Sequence, residues 1–230
     1  MKNKDVLLFS GGLDSLVAWY YLDKPKCLYV DLGHKYSERE KKAIGNLKEL
    51  INIDITIDDR LNLGDVEEFD ANIPMRNSFL AHIAAIYGER IWLIVQKGET
   101  NIPDRSMDFY NDVTYLLRGL NENNEIEVDS PFWKMTKADM VGWYIDDGYP
   151  KEVLLASRSC YNDYDKPCGF CPACFRRFVA LELNGLKEDY EIILPWETTT
   201  AQHYWERAKN EEYCNQRNIE IIEALRKKGW

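Results

Sequence analysis

Three observations predict an open α/β fold built on a doubly wound, mostly parallel sheet. Short runs such as Val6-Leu7-Leu8-Phe9 are apolar throughout, without the polar alternation of a half-exposed strand, so they suit a sheet covered on both faces. Strand-like and helix-like segments alternate in the order β-α-β-α-(loop)-α-β, the pattern of parallel strands joined by crossovers. The turns after the first, second and fourth strand candidates, at 10–15, 31–34 and 97–100, all occupy the carboxyl edge of such a sheet, where ligands bind.

The elements follow in chain order. The first strand, 6–9, runs through Ser10-Gly11-Gly12-Leu13-Asp14-Ser15 into a helical LVAWYYL stretch. KCLYVD at 26–31 is the second strand, and 37–50, polar with spaced apolar positions, is a helix. DITI at 54–57 is the third strand, and the acidic, irregular stretch 60–71 is a surface loop. Ile73-Pro74-Met75-Arg76-Asn77 introduces a helix that stops at Gly88, with Asn77 as its expected cap. IWLIV at 91–95 is a buried strand. In the segment 104–119, Asp104 and Asp108 share a face if the segment is helical. Residues 126–129 form a short strand ended by Ser130-Pro131, and Thr136 caps a further helix. A cysteine-rich segment and a tail that is helical at its end complete the chain, dividing it into an α/β unit over 1–150 and a metal-binding segment with its tail over 151–230.

The turn at 10–15 carries the chemistry. A glycine pair between a strand and a helix lets the backbone approach a bulky anion, and unpaired N–H groups and the helix dipole favour negative charge there. Ser10 and Ser15 offer hydroxyl donors, while Asp14 either helps hold a metal ion or caps the helix that follows. A Gly-Lys-Ser/Thr ending is absent, so this is not a Walker loop; nor is it the Gly-x-Gly-x-x-Gly dinucleotide turn. In this context Ser-Gly-Gly-Leu-Asp-Ser resembles the pyrophosphate loop of the ATP-pyrophosphatase superfamily, which implies ATP cleavage between the α- and β-phosphates and adenylation of a substrate oxygen.

Composition narrows the partners. The 230 residues are 45% hydrophobic and 30% charged, with a net charge of −10. Such a field opposes strong nucleic-acid binding, and the absence of a long apolar run opposes membrane insertion. The N-terminus runs straight into the loop without a leader pattern, so a cytoplasmic setting is expected.

Four of the six cysteines, Cys160, Cys168, Cys171 and Cys174, form a C-x7-C-x2-C-x2-C array. In a reducing compartment that clustering points to metal, and four thiolates close a tetrahedral zinc site of structural type. An iron–sulfur cluster is the rival, but the usual x3-C-P continuation is missing, with Arg176 and Arg177 in its place. Cys27 and Cys214 stand alone as core or surface residues.

The loop SGGLDS, the exit GHKYSERE, the IPMRN and SPFWKMTKADMV segments and the cysteine array occur in one order over about residues 5–184. Together they resemble the QueC family of 7-cyano-7-deazaguanine synthases. The resemblance implies an adenine nucleotide alpha-hydrolase-like fold, a structural Zn²⁺, Mg²⁺ and ATP, and a homodimer. It also implies a ligase that converts 7-carboxy-7-deazaguanine and ammonia to the nitrile preQ0 for queuosine biosynthesis. By the same resemblance Ser10, Gly11, Gly12, Leu13, Asp14 and Ser15 hold the phosphates, Asp14 orients Mg²⁺ and Lys137 neutralises phosphate. Gly33 and His34 lie beside adenine and ribose, His34 as an ordinary loop histidine rather than a catalyst. Arg76 meets the substrate carboxylate or the α-phosphate. Asp104 and Asp108 are candidates for the base's donor edge, and Phe109 and Tyr110 for stacking. The chain departs from the family in Met75, where glycine is usual, in a shortened 97–110 segment and in a long tail. Met75 is expected to narrow the backbone approach beside Arg76. The alternative reading is a QueC-like enzyme that stops at the amide or adenylates another substrate, in tRNA modification or conjugation to a protein partner.

Overall fold

The structure, a computed structural model, describes residues 4–68, 73–99, 102–121 and 125–230. Five strands form one sheet: β1 (Asp5–Leu8), β2 (Lys26–Val30), β3 (Ile55–Asp58), β4 (Arg90–Trp92) and β5 (Glu127–Asp129). They lie in the order β3-β2-β1-β4-β5 and every neighbouring pair is parallel. The chain winds outward from β1 to β3, then returns to place β4 on the other side of β1. The topological switch point therefore falls between β1 and β4, where the carboxyl ends open a crevice.

Alternation along the strands feeds two cores. Leu7, Phe9, Cys27 and Tyr29 face one side, where they pack with α1 (Leu13–Tyr21), α2 (Ser37–Ile51), α5 (Lys137–Asp146) and α6 (Lys151–Ala156). Val6, Leu28, Val30 and Ile91 face the other, against α3 (Arg76–Ala84) and α4 (Met107–Asn121). Leu7 and Ile91 are fully buried, so truncating either to alanine costs about 2–5 kcal/mol. A third core joins α7 (Pro172–Leu183) to the tail helices α8 (Thr199–Lys209) and α9 (Asn215–Arg226) through Phe175, Phe178, Tyr204, Ile221 and Leu225. The tail thus packs on the body. Among the described residues no helix is long and apolar enough to cross a membrane.

Several local expectations change. Asn77 does not cap α3: the N-cap is Met75, and the buried Asn77 side chain donates to the Asp104 carbonyl at 2.9 Å. Asp104 and Asp108 do not share a helical face, because Asp104 sits in a separate 3-10 turn, Pro103–Arg105, before α4 begins. The pairing of Asn77 with that turn gives the break its physical reason. Asp14 does not cap α1 either; Gly12 is the N-cap, without a side-chain bond. Thr136 does cap α5, in a reciprocal box with Asp139. Part of the expected surface loop, 69–71, lies outside the described residues, as does Thr100.

Met75 shows why glycine suits its position. Its φ is 58°, in the left-handed region, and its side chain is 67% exposed rather than part of the cavity lining. The departure therefore strains the backbone and does not narrow the approach beside Arg76 by bulk. A non-glycine residue there costs on the order of 1–2 kcal/mol, partly offset by the greater unfolded freedom of glycine. Met75→Gly is expected to stabilise the protein by roughly 0.5–1 kcal/mol, read as a higher urea midpoint at unchanged slope.

Candidate functional site

The crevice at the switch point is a cavity of about 300 Å³. Its floor is the end of β1 with Ser10, Gly12, Leu13, Asp14 and Ser15; the exits of β2 and β4 supply His34 and Glu99. Arg76 and Asn77 enter from α3 and Lys137 from α5, while Arg158 to Tyr161 and Arg176 close the far wall. Of the residues expected to hold the nucleotide, Gly11 and Gly33 lie outside the lining. Gly11 has φ +73° and packs against Ala43 and Ile44, which makes the sharp turn possible. Gly33 is a turn residue closed off by Asn62.

The turn at 10–15 is braced from both sides. Ser15 is buried and its hydroxyl donates to the Gly12 carbonyl at 3.1 Å, so it shapes the turn rather than pointing an idle donor into the cavity. The Gly11 carbonyl accepts from the Arg158 N–H at 2.9 Å, and the Leu13 N–H donates to Ser159 Oγ at 3.4 Å. His34 uses both ring nitrogens, toward Ser37 Oγ and Glu40 Oε2, each at 3.1 Å. That arrangement agrees with an ordinary structural histidine. Tyr110 is buried and donates to the Leu93 carbonyl at 2.5 Å, and Phe109 packs edge-on against it. Neither ring is a platform open to the cavity, and neither Asp104 nor Asp108 lines it.

Charge is the dominant feature of the walls. Lys137 Nζ donates to Asp14 Oδ1. A lysine in the first turn of a helix opposes the helix dipole, and Asp14 offsets that cost. Arg39 is nine-tenths buried; its Nη1 donates to the Cys160 carbonyl at 2.7 Å, and its Nε makes no hydrogen bond. Arg76 has no ion-pair partner among the described residues. Arg176 donates to the hydroxyls of Tyr204 and Tyr161 at 3.1 and 3.0 Å. Glu99 sits opposite, 2.8 Å from Arg105 and 3.8 Å from Arg176. Burial works to raise its carboxyl, but Arg176 first, then Lys137, Arg105 and Arg217, hold it below the usual carboxylate range. The cavity therefore gathers cations within an acidic chain and suits a polyanion with a planar acidic group. Sequence reasoning missed Arg39, Glu99 and Arg176 as a group. They come from three distant segments with no shared spacing, so only the fold brings them together.

The cysteine segment forms the cavity's outer wall. The sulfurs of Cys160, Cys168, Cys171 and Cys174 lie within 4.8 Å of one another, all four residues buried. Cys171 and Cys174 are 3.5 Å apart and Cys168 and Cys174 3.8 Å. A tetrahedron of Zn–S bonds of about 2.3 Å has edges of about 3.8 Å, so the four sulfurs fit one metal ion such as zinc. An iron–sulfur core would spread them further. The N–H groups of Asn162 and Cys168 point at Cys160 Sγ at 3.3 and 3.4 Å, as expected for thiolate ligands with supporting donors. Gly169, at φ +88°, is required: a Cβ there would stand 1.6 Å from the Ile193 carbonyl oxygen.

The model of the family described as "Queuosine biosynthesis protein QueC" matches residues 49–185. A protein of Archaeoglobus fulgidus named 7-cyano-7-deazaguanine synthase is 30% identical, with 90% of this chain and 98% of the relative aligned. A Nautilia profundicola protein of the same name is 26% identical over 80% of this chain and 96% of its own. A Sulfolobus acidocaldarius protein, again of that name, is 26% identical over 83% of this chain, which spans about half (48%) of that longer relative.

Purified protein is expected to carry about one zinc per chain by elemental analysis. Gly169→Ala should lower that content, and chelation should lower the thermal midpoint. Iron with labile sulfide, or full stability without metal, would count against the site.

Proposed function

The chain belongs to the QueC family of queuosine biosynthesis proteins, and from that premise we propose that it makes 7-cyano-7-deazaguanine from 7-carboxy-7-deazaguanine, ammonia and ATP. The observation that carries this reading is the pairing of Asp14 with Lys137 at the mouth of the Ser-Gly-Gly-Leu-Asp-Ser turn, inside a cationic cavity of an acidic protein. The alternative, an enzyme that stops at the amide or adenylates another substrate, is not favoured by relatives that share one name.

In this reading the enzyme is an ATP-dependent carbon–nitrogen ligase. A carboxylate is a poor acyl donor because its oxygen is a poor leaving group, and adenylation replaces that oxygen with AMP. The turn at 10–15 offers backbone N–H groups at the start of α1 to the departing pyrophosphate, where charge develops in the transition state. An incoming triphosphate competes with Asp14 for Lys137. Lys137 then neutralises phosphate, and the released Asp14 carboxylate would help hold Mg²⁺, which would supply further charge neutralisation there. Arg76 brings a guanidinium without an ion-pair partner among the described residues to the α-phosphate or the substrate carboxylate, and Arg39, 3.7 Å from Asp163, adds an Nε that makes no hydrogen bond. The four cysteines would hold Zn²⁺ in a four-sulfur site with no position left for substrate, and would thereby organise the wall that carries Arg158, Ser159 and Cys160.

The nitrile needs two activations, first of the acid and then of the amide oxygen, each releasing AMP. We assign residues 1–150 to the nucleotide-binding unit and 151–230 to the metal-binding segment and tail, in a cytoplasmic homodimer.

Mass spectrometry of the product with the ratio of AMP to base tests the proposal. Two AMP per nitrile is the expected result, and one AMP per amide would favour the alternative. Asp14→Ala and Lys137→Ala should each lower AMP release by about 100-fold while far-ultraviolet circular dichroism stays unchanged. ADP and phosphate in place of AMP and pyrophosphate would overturn the reading.

A further inference from the structure

A second cavity, of about 40 Å³, adjoins the first and shares Gln96, Glu99, Lys137 and Arg176 with it. A water molecule needs about 10–15 Å³ by the same kind of measure, so this space admits one or a few molecules of that size and no nucleotide or base. One wall is the tail helix α9, with Glu220 and Ile221; another is α7, with Phe175 and Val179. Glu220 is fixed in place: its Oε1 accepts from Thr136 Oγ1 at 2.5 Å and from Gln216 Nε2 at 3.1 Å. Among the described residues its Oε2 has no hydrogen-bond partner.

We propose that this cavity binds the ammonia nitrogen that the reaction consumes, and that the Glu220 carboxylate takes the proton ammonium gives up. The inference rests on the adenylation reading above. Size comes first, because ammonia is as small as water and the acyl-adenylate cannot enter. Charge comes second. Lys97, Lys137, Arg176 and Arg217 line the space with two carboxylates, Glu99 and Glu220, and the excess of cations penalises NH₄⁺ relative to NH₃. The nitrogen is thereby held in its nucleophilic form. Burial first, and Asp139 beside it, push the Glu220 carboxyl up, against Thr136, Gln216 and Arg217, which favour the carboxylate. A carboxylate so placed is a better proton acceptor than an exposed one. Lys97 reaches the same network by donating to Gln216 Oε1 at 2.7 Å.

The step balances as follows. NH₄⁺ passes one proton to Glu220, and the freed lone pair attacks the carbonyl carbon of the acyl-adenylate. The carbon–oxygen bond to AMP breaks with its electron pair, and the nitrogen loses a second proton to solvent. The products are the amide, AMP and two protons. Gln96, Glu99, Lys137 and Arg176, shared by both cavities, put the nitrogen next to the crevice where the acyl-adenylate forms. The long tail then has a catalytic reason, since α9 supplies the acceptor and one wall of the cavity.

The test uses Glu220→Gln and Val179→Ala in the full chain. ATP–pyrophosphate exchange with 7-carboxy-7-deazaguanine needs no ammonia and reports adenylation alone. For Glu220→Gln, kcat/KM for ammonium should fall by about 100-fold, while exchange and its KM for ATP hold. The unaltered chain should exclude methylamine, and Val179→Ala, by enlarging the chamber, should admit it and form the N-methyl amide. Unchanged ammonium dependence, an equal fall in exchange, or exclusion of methylamine by both chains overturns the site, which then holds only water. If the unaltered chain shows no acid-dependent exchange, the adenylation reading itself fails and this site with it. That outcome is separate, because exchange is measured without ammonia.

Discussion

The cavity exists because the cysteine segment is held against the β1–α1 turn. Three hydrogen bonds make the seam: Arg158 N–H to the Gly11 carbonyl, Leu13 N–H to Ser159, and Arg39 to the Cys160 carbonyl. Each joins the β1–α1 turn or α2 to a residue within two positions of the first cysteine. Four buried thiolates so close together repel one another unless a cation sits between them. Metal binding and the shape of the nucleotide-sized crevice are thus one problem. Arg177 adds a second staple; fully buried, it donates to Glu188, Ser157 and the carbonyls of Leu154 and Leu155, and so fixes α7 behind the wall. Removing its side chain would strand a buried carboxylate and several acceptors, at a cost of several kcal/mol.

Electrostatics then separate the site from the surface. A chain with net charge −10 repels polyanions at long range, yet the crevice gathers Arg39, Arg76, Arg158, Arg176 and Lys137. The cations share one crevice, where desolvation strengthens them, and are outnumbered elsewhere, where solvent screens the excess. A small polyanion that fits the crevice meets more cations than carboxylates, since Asp14, Glu40 and Glu99 line it beside the arginines and Lys137. A long nucleic acid would meet the acidic exterior as well. The Asp14–Lys137 pair adds selectivity, since an entering anion must outcompete a carboxylate already in contact.

Much of this was legible in local pattern. The apolar strand runs, the glycine turn and the Thr136 cap are short-range features, and the cysteine spacing places four ligands within fifteen residues. What local pattern could not carry was long-range. Glu99 and Arg176 are 77 positions apart and face each other only because α7 folds back beside the exit of β4. Asn77 looked like a cap, but Met75 turned the chain earlier in a left-handed conformation and Asn77 bonded to the 3-10 turn instead. The same turn removed Asp104 from the helix that was to align it with Asp108. The tail was readable as helical, but its contacts with Lys97, Gly98 and Thr136 cross about 84–119 positions and leave no trace in spacing.

The central claim is that this crevice activates a carboxylate by transferring AMP to its oxygen. The most direct measurement uses 7-carboxy-7-deazaguanine labelled with ¹⁸O in both carboxylate oxygens, with ATP, Mg²⁺ and ammonium, and weighs the AMP released. If oxygen attacks the α-phosphorus, each AMP carries one ¹⁸O and the pyrophosphate none. Unlabelled AMP with the label kept in the product, or label recovered in inorganic phosphate beside ADP, would contradict the account.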